Sequence, residues 1–135
     1  MTSGLQADHL QMTESADWAQ FALNQPMIND PGKSFDYNCG NTHLLSAIIQ
    51  KTTGRTAFDY AQEKLFRPLG VQDVYWGSDL SGFTTGGTGL MLTPRDMAKF
   101  GLLYLNRGEW DGKQIVQAEW VVASLQKNSK GYTYQ

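Results

Sequence analysis

Cysteine and histidine are scarce in this chain: one cysteine, Cys39, and two histidines, His9 and His43, among 135 residues. A single thiol excludes an internal disulfide framework. Three such residues so widely spread give no metal-ligand spacing, so no metal and no other cofactor is expected. The net charge is only -2, with no basic patch and no run of like charges, which argues against nucleic acid as a partner. No stretch of 18 apolar residues occurs, so no membrane-spanning helix is expected. The opening Met1-Thr2-Ser3-Gly4-Leu5 has neither a basic n-region nor an apolar core, and no signal peptide is expected there. Localisation stays open between periplasmic, secreted and cytoplasmic.

What is present points to a folded domain. Hydrophobic residues make up 41% and four tryptophans are included, which excludes a disordered chain. The length suits one compact domain over 1–135. Ser15 is placed to cap a first helix with Trp18, Phe21 and Ala22 on one face, stopped by Asn24-Gln25-Pro26. Pro31-Gly32-Lys33-Ser34 reads as a turn. The next helix runs from about Asn41 to Thr53, with Leu44, Leu45, Ile48 and Ile49 as a helical stripe and Gly54 as its end. Thr56 and Asp59 start a third helix that carries Phe58, Ala61 and Leu65 inward, ended by Arg67-Pro68-Leu69-Gly70. Residues 71–92 lack helical periodicity and read as a folded loop with short strands at 71–76 or 89–92. Thr93-Pro94-Arg95-Asp96 is the strongest local helix start. Met97, Ala98, Gly101, Leu102 and Leu105 then share a face, and Gly108 closes the helix. A turn at Trp110-Asp111-Gly112-Lys113 precedes a last helix near 118–126, with Trp120, Val121, Ser124 and Leu125 at helical spacing. Periodicity alone predicts a mainly α domain with long Gly-rich loops.

Several segments in register carry a resemblance. They are Thr2-Ser3-Gly4-Leu5; Pro31-Gly32 through Phe35-Asp36-Tyr37-Asn38-Cys39; Leu44 to Gly54; Leu65-Phe66-Arg67-Pro68-Leu69-Gly70; Gly87 to Ala98; and Leu105-Asn106-Arg107-Gly108 through Trp120. In order and spacing they resemble the serine β-lactamase and penicillin-binding-protein superfamily, in its class C β-lactamase-like branch. The resemblance implies the helical domain of a two-domain serine hydrolase acting on β-lactam, peptide, ester or amide bonds through an acyl-enzyme. It implies a Ser-x-x-Lys nucleophile motif before Thr2 and a Lys-Thr-Gly-like motif after this segment. The partners it implies are a small-molecule or peptide substrate, an α/β domain outside these residues, and a second copy docking on any uncovered face. The chain alone is then expected to be inactive, and Gly131 to Gln135 to lead back toward that α/β domain.

By the same resemblance Tyr37 passes protons during acylation. A phenol with pKa about 10 needs nearby ammonium groups to do so at neutral pH. Its alternative is a ring packed on the following helix. Cys39 occupies the position where the family usually has Asn or Ser, and a thiol is a weaker donor and acceptor. It also reads as a small half-buried residue, or as a thiol at a helix N-terminus for which no activating histidine is positioned. Asn38, Trp76, Gly87 and Trp110 are candidates for the substrate cleft, the aromatics having core packing as their other reading. Gly86-Gly87-Thr88-Gly89 lacks the Lys-Ser or Lys-Thr that would complete a phosphate loop. Ser124-Leu125-Gln126-Lys127 spells Ser-x-x-Lys but follows Tyr37, and reads as a chance match. His9 and His43 read as surface or helix-flank residues. A non-catalytic binding module derived from the same family is the second functional reading, and a helical protein with coincidental matches the third.

Overall fold

A computed structural model of the chain describes residues 1–6 and 8–127. It is mainly helical, as expected: α1 (His9–Glu14), α2 (Trp18–Leu23), α3 (Cys39–Thr53), α4 (Ala57–Ala61), α5 (Pro94–Leu105) and α6 (Ala118–Ser124). Four short strands accompany them, β1 (Val74–Trp76), β2 (Leu90–Leu92), β3 (Glu109–Trp110) and β4 (Lys113–Gln114), paired β1 with β2 and β3 with β4. No described helix is long and apolar enough to cross a membrane. The last segment named in the sequence, Gly131 to Gln135, lies outside the described residues.

The chain forms two compact units, one of Met1–Tyr60 with Trp76–Leu90 and the other of Ala61–Tyr75 with the chain from Met91. In the first, α1 and α2 pack on α3. The expected cap at Ser15 is corrected: Asp17 Oδ1 accepts the Gln20 N–H at 2.8 Å and starts α2. A carboxylate at that position satisfies an orphan donor and meets the positive end of the helix. Ser15 instead closes α1, its hydroxyl donating to the Met12 carbonyl at 2.7 Å. The Leu44, Leu45, Ile48, Ile49 stripe is not the core face of α3. Leu45 and Ile48 are 54% and 55% exposed, while Gly40, His43, Ser46 and Ala47 are buried. The reason is a set of long-range polar contacts, given below, that draws the His43 side inward. Gly54 ends the helix as expected, at φ 70° with its N–H on the Gln50 carbonyl.

Thr56 starts α4 as expected, accepting the Asp59 N–H at 3.0 Å. The helix then widens into a π-helical turn, Gln62–Phe66, in which Arg67 N–H reaches the Gln62 carbonyl. That extra residue rotates the inward face, so Ala57 and Phe66 are buried while Phe58, Ala61 and Leu65 are only half-buried.

In the second unit Phe66, Leu69, Val71, Leu103 and Val121 are buried, and the Phe66 and Phe100 rings meet edge to face at 6.2 Å. Thr93 caps α5 by accepting the Asp96 N–H at 3.1 Å, with Pro94 at the first helical position. Lys99 Nζ pairs with Asp96 Oδ1 at 2.7 Å and donates to the Gly70 carbonyl at 2.6 Å. Hydrogen bonds from Lys99 and Thr93 hold the Asp96 carboxyl below its ordinary range. Replacing the cap, Thr93→Ala, should cost about 1 kcal/mol, with 2 as an upper figure. Urea titration of the variant against the parent chain measures it. The α5 face at Met97, Ala98, Gly101, Leu102 and Leu105 forms at helical spacing but is exposed, Leu105 at 79%. The expected turn after Trp110 is a tight hairpin between β3 and β4, in register Trp110 opposite Lys113. Asp111 and Gly112 both take positive φ, 48° and 72°, the geometry an Asp-Gly pair favours. In α6 it is Val121 and Ser124 that are buried, and Trp120 and Leu125 stay exposed. Ser124 donates to the Val121 carbonyl at 2.9 Å and lies 3.4 Å from the Tyr104 hydroxyl, so its hydroxyl is engaged within the fold.

Candidate active site

The segment that carries Tyr37 is built from extended chain strapped to the first residues of the sequence. Leu5 bridges antiparallel to Met27, Gly32 N–H reaches the Thr2 carbonyl at 2.7 Å, and Asp36 N–H reaches the Met1 carbonyl at 3.1 Å. Gly4 sits at φ 81° with the Asn29 carbonyl where a Cβ would stand, so only glycine fits that approach. Asn38 then stops the extended run and starts α3. Its Oδ1 accepts the Gly40 N–H at 2.9 Å, and its Nδ2 donates to the Leu5 and Gln6 carbonyls at 3.1 and 3.3 Å. Every polar atom of this buried amide is engaged with backbone. Asn38 is therefore the post that joins the first strap to α3.

Tyr37 lies one residue before that post and is 64% exposed. The alternative of a ring packed against the following helix is not what is seen. Its phenol oxygen is 3.8 Å from the Cys39 thiol, which donates to it. Cys39 raises the Tyr37 phenol above its ordinary 10.0, first through the shared hydrogen bond and then through repulsion between the two ionised forms, with a smaller effect of burial. No described lysine or arginine offsets this among the causes acting on Tyr37.

Gly87 is brought against Cys39. A Cβ on Gly87 would stand 2.8 Å from the Cys39 Cβ and 3.0 Å from its carbonyl oxygen. Gly86 packs still closer, where a Cβ would collide with the Thr42 carbonyl. Trp76, half-buried, holds the same loop from its flank, with Nε1 donating to the Thr85 carbonyl at 2.7 Å and the Thr88 carbonyl at 3.3 Å. Tyr37, Cys39, Gly87 and Trp76 all belong to the first unit. Trp110 is half-buried in the β3–β4 hairpin of the second.

What holds the loop down is His43, and this corrects its reading as a surface or helix-flank residue. His43 is fully buried, between the Trp18 ring at 5.3 Å and the Phe83 ring at 6.4 Å. Its Nε2 is 3.1 Å from Asp79 Oδ2, and its Nδ1 accepts the Gly86 N–H at 3.4 Å. A carboxylate only accepts and a backbone N–H only donates, so the neutral ring carries its hydrogen on Nε2. The other Asp79 oxygen accepts the Phe83 N–H at 2.9 Å. One turn along α3, Ser46 donates to the Thr84 carbonyl at 2.6 Å, and Thr84 Oγ1 accepts the Phe58 N–H at 3.1 Å. The signal that could have found this is the small residues Gly40 and Ala47 flanking His43 at helical spacing, which mark the face where a loop can approach.

Burial pushes the His43 imidazole down from 6.5, and the attraction of Asp79 and Asp17 opposes this only in part. An unfolded chain therefore binds the proton more readily than the folded one. Stability should be full above about pH 6.5 and fall as pH drops from there toward the depressed folded value. Urea midpoints at stepped pH values check this, and a flat profile across that window would contradict it. Among the described residues no three His, Cys, Asp or Glu side chains gather as a metal site.

Comparison with known proteins adds to this geometry. The family model described as Beta-lactamase matches residues 1–134. The 6-aminohexanoate-dimer hydrolase of Paenarthrobacter ureafaciens is 29% identical over 97 residues, which are 71% of this chain and 25% of that protein. The D-aminopeptidase of Brucella anthropi is 33% identical over 85 residues, 62% of this chain and 15% of that one. The solved structure of a candidate 6-aminohexanoate-dimer hydrolase from Bacillus anthracis shares the fold at a TM-score of 0.73 and 32% identity, over 81% of this chain and 29% of that chain. The chain thus spans a quarter or less of the length of these curated relatives.

Proposed function

The chain belongs to the beta-lactamase family, and from that premise we propose that it forms the cleft-side helical part of a larger serine hydrolase, with Tyr37 as the proton-transfer residue. The observation that carries this is the exposed Tyr37 phenol, held out beside the N-terminus of α3 by a buried Asn38 hydrogen-bonded to backbone on both sides. A residue kept for packing would be turned in. The nucleophile is a serine of a Ser-x-x-Lys motif outside these residues, because Ser124 is buried and bonded to its own helix. In acylation the serine hydroxyl loses its proton as it attacks the carbonyl carbon. Tyr37 relays that proton to the leaving group, which departs protonated. Ammonium groups near the phenol must counter the upward shift that Cys39 imposes.

Relatives named as a hydrolase of an aminohexanoate dimer and as an aminopeptidase favour amide and peptide bonds as the substrate class. Gly87, closed against Cys39 with no room for a side chain, and Trp76 border the substrate in this reading. The exposed apolar positions Leu45 and Ile48 on α3, and Met97, Leu102 and Leu105 on α5, support a missing cover, the α/β domain or a second copy. The stand-alone binding module instead requires these faces to be harmless in water. Light scattering and a hydrophobic-dye assay on the 135-residue chain separate the two. Self-association or strong dye fluorescence is expected, and a dye-silent monomer would favour the binding module.

A further inference from the structure

The loop beside Tyr37 is fastened at both ends by one side chain. From Gly77 to Thr85 the chain folds back on itself, with Asp79 N–H on the Phe83 carbonyl and Thr85 N–H on the Gly77 carbonyl, both at 2.9 Å. His43 grips this fold on its near side through Asp79 and on its far side through the Gly86 N–H. Directly after that second grip comes Gly87, seated on Cys39, whose thiol touches the Tyr37 phenol. Every member of this chain of contacts lies in the first unit.

From this geometry we infer that His43 is a positioning residue: as the neutral Nε2–H form it clamps the 79–86 loop onto the first turn of α3, and so fixes the Gly87 backbone over Cys39 beside Tyr37. Its two nitrogens have separate tasks. Nε2 anchors the Asp79 end by donation, and Nδ1 anchors the Gly86 end by accepting. Only the second bears directly on the Gly87–Cys39 contact. A proton added at Nδ1 removes the lone pair that Gly86 needs, so acid releases the same end of the loop. The charged groups facing the ring are Asp79 and Asp17, with the Lys51 ammonium beyond it over the Phe83 ring at 5.8 Å. The relevance to turnover rests on the hydrolase reading above; the clamp itself does not.

Two substitutions separate the tasks. Asn is close in shape to the Nδ1 side of imidazole and Gln to the Nε2 side, so His43→Asn keeps an acceptor for Gly86 and His43→Gln keeps a donor for Asp79. Alkylation of Cys39 by N-ethylmaleimide, followed by mass spectrometry on the folded 135-residue chain, reads whether the Gly87 backbone still stands against the Cys39 Cβ and so limits approach to that side chain. His43→Gln should speed alkylation about fivefold or more, the shift expected when one ordinary hydrogen bond is lost. His43→Asn should stay within about twofold of the parent chain by the same scale. Equal rates for the two variants, whether raised or unchanged, would overturn the clamp, since a residue that only fills space loses the same ring in both. Should either variant fail to fold, nitrogen-15 spectra of the unmodified imidazole decide. A hydrogen on Nε2 with a bare Nδ1 at neutral pH is expected, and a hydrogen on Nδ1 overturns the inference. The hydrolase reading fails separately: there Tyr37→Phe leaves turnover intact while the alkylation split persists.

Discussion

If the proposed reading holds, Tyr37→Phe should reduce kcat of a hydrolase built on this segment by about 10²- to 10⁴-fold, the range for loss of a positioned acid–base group. The substitution removes one oxygen from a side chain that is 64% exposed, so stability should change by no more than about 0.5 kcal/mol. KM should move little, because the ring that could line the cleft remains. The position of the phenol explains why the effect is catalytic and not structural. Its side-chain partner among the described residues is the Cys39 thiol, a weak donor 3.8 Å away. The fold therefore gains almost nothing from the hydroxyl. Steady-state kinetics on an amide or p-nitrophenyl ester substrate measure the change, together with thermal melts that should superimpose. A loss of activity matched by a fall in melting temperature would assign Tyr37 to structure.

Asp79→Ala should be the most damaging single change in the first unit outside its apolar core, at about 3 kcal/mol or more. That figure follows from two hydrogen bonds to a buried carboxylate, each worth about 1.5 to 3 kcal/mol and not fully additive. The carboxylate accepts from His43 Nε2 and from the Phe83 N–H, and its side chain is closed to solvent. Removing it leaves two buried donors without an acceptor. The imidazole can then recover only by moving its hydrogen to Nδ1, which breaks its bond to Gly86 instead. Against a total stability of about 5 to 15 kcal/mol for a domain, such a loss brings the variant near the edge of folding. Equilibrium urea unfolding should show a lower midpoint with an unchanged slope. A cost under about 1 kcal/mol, the scale of an ordinary exposed contact, would show that the pair is not the fastening described.

These two residues also mark what could and could not be read from the chain. The motif singles out Tyr37 without saying how it is held, and local grammar located the helix ends that depend on neighbours alone. Thr93-Pro94-Arg95-Asp96, Thr56 with Asp59, and Gly54 each satisfy backbone groups within four residues. Ser15 misled because Asp17, two residues on, offers a carboxylate to the same helix start. The faces of α3 and α5 misled for another reason. Periodicity reports that a helix has an apolar side, and it is silent on what that side meets. Leu45, Ile48 and Leu105 lie on such sides and are exposed here, whereas the buried side of α3 carries a histidine and a serine. Their partners, Asp79 and Thr84, are 36 and 38 residues away, beyond any local pattern. The same distance hid the role of Gly86 and Gly87, whose lack of a side chain matters only because Thr42 and Cys39 stand opposite.

The position of Asn38 sharpens the site in a further way. It joins the first strap to α3, its side-chain amide hydrogen-bonded to the Leu5 and Gln6 carbonyls and the Gly40 N–H. On this stretch the side chains open to solvent are Tyr37 and, in part, Cys39.

The most direct test of the account is covalent trapping. The 135-residue chain, and a longer form extended through its natural flanks, are each incubated with a p-nitrophenyl ester and examined by intact mass and peptide mapping. An acyl adduct is expected on a serine of a Ser-x-x-Lys motif in the longer form, formed far more slowly in Tyr37→Phe, and no adduct on the shorter chain. An adduct on Cys39 or Ser124 of the 135-residue chain, or a longer form that acylates equally fast without the Tyr37 hydroxyl, would contradict it.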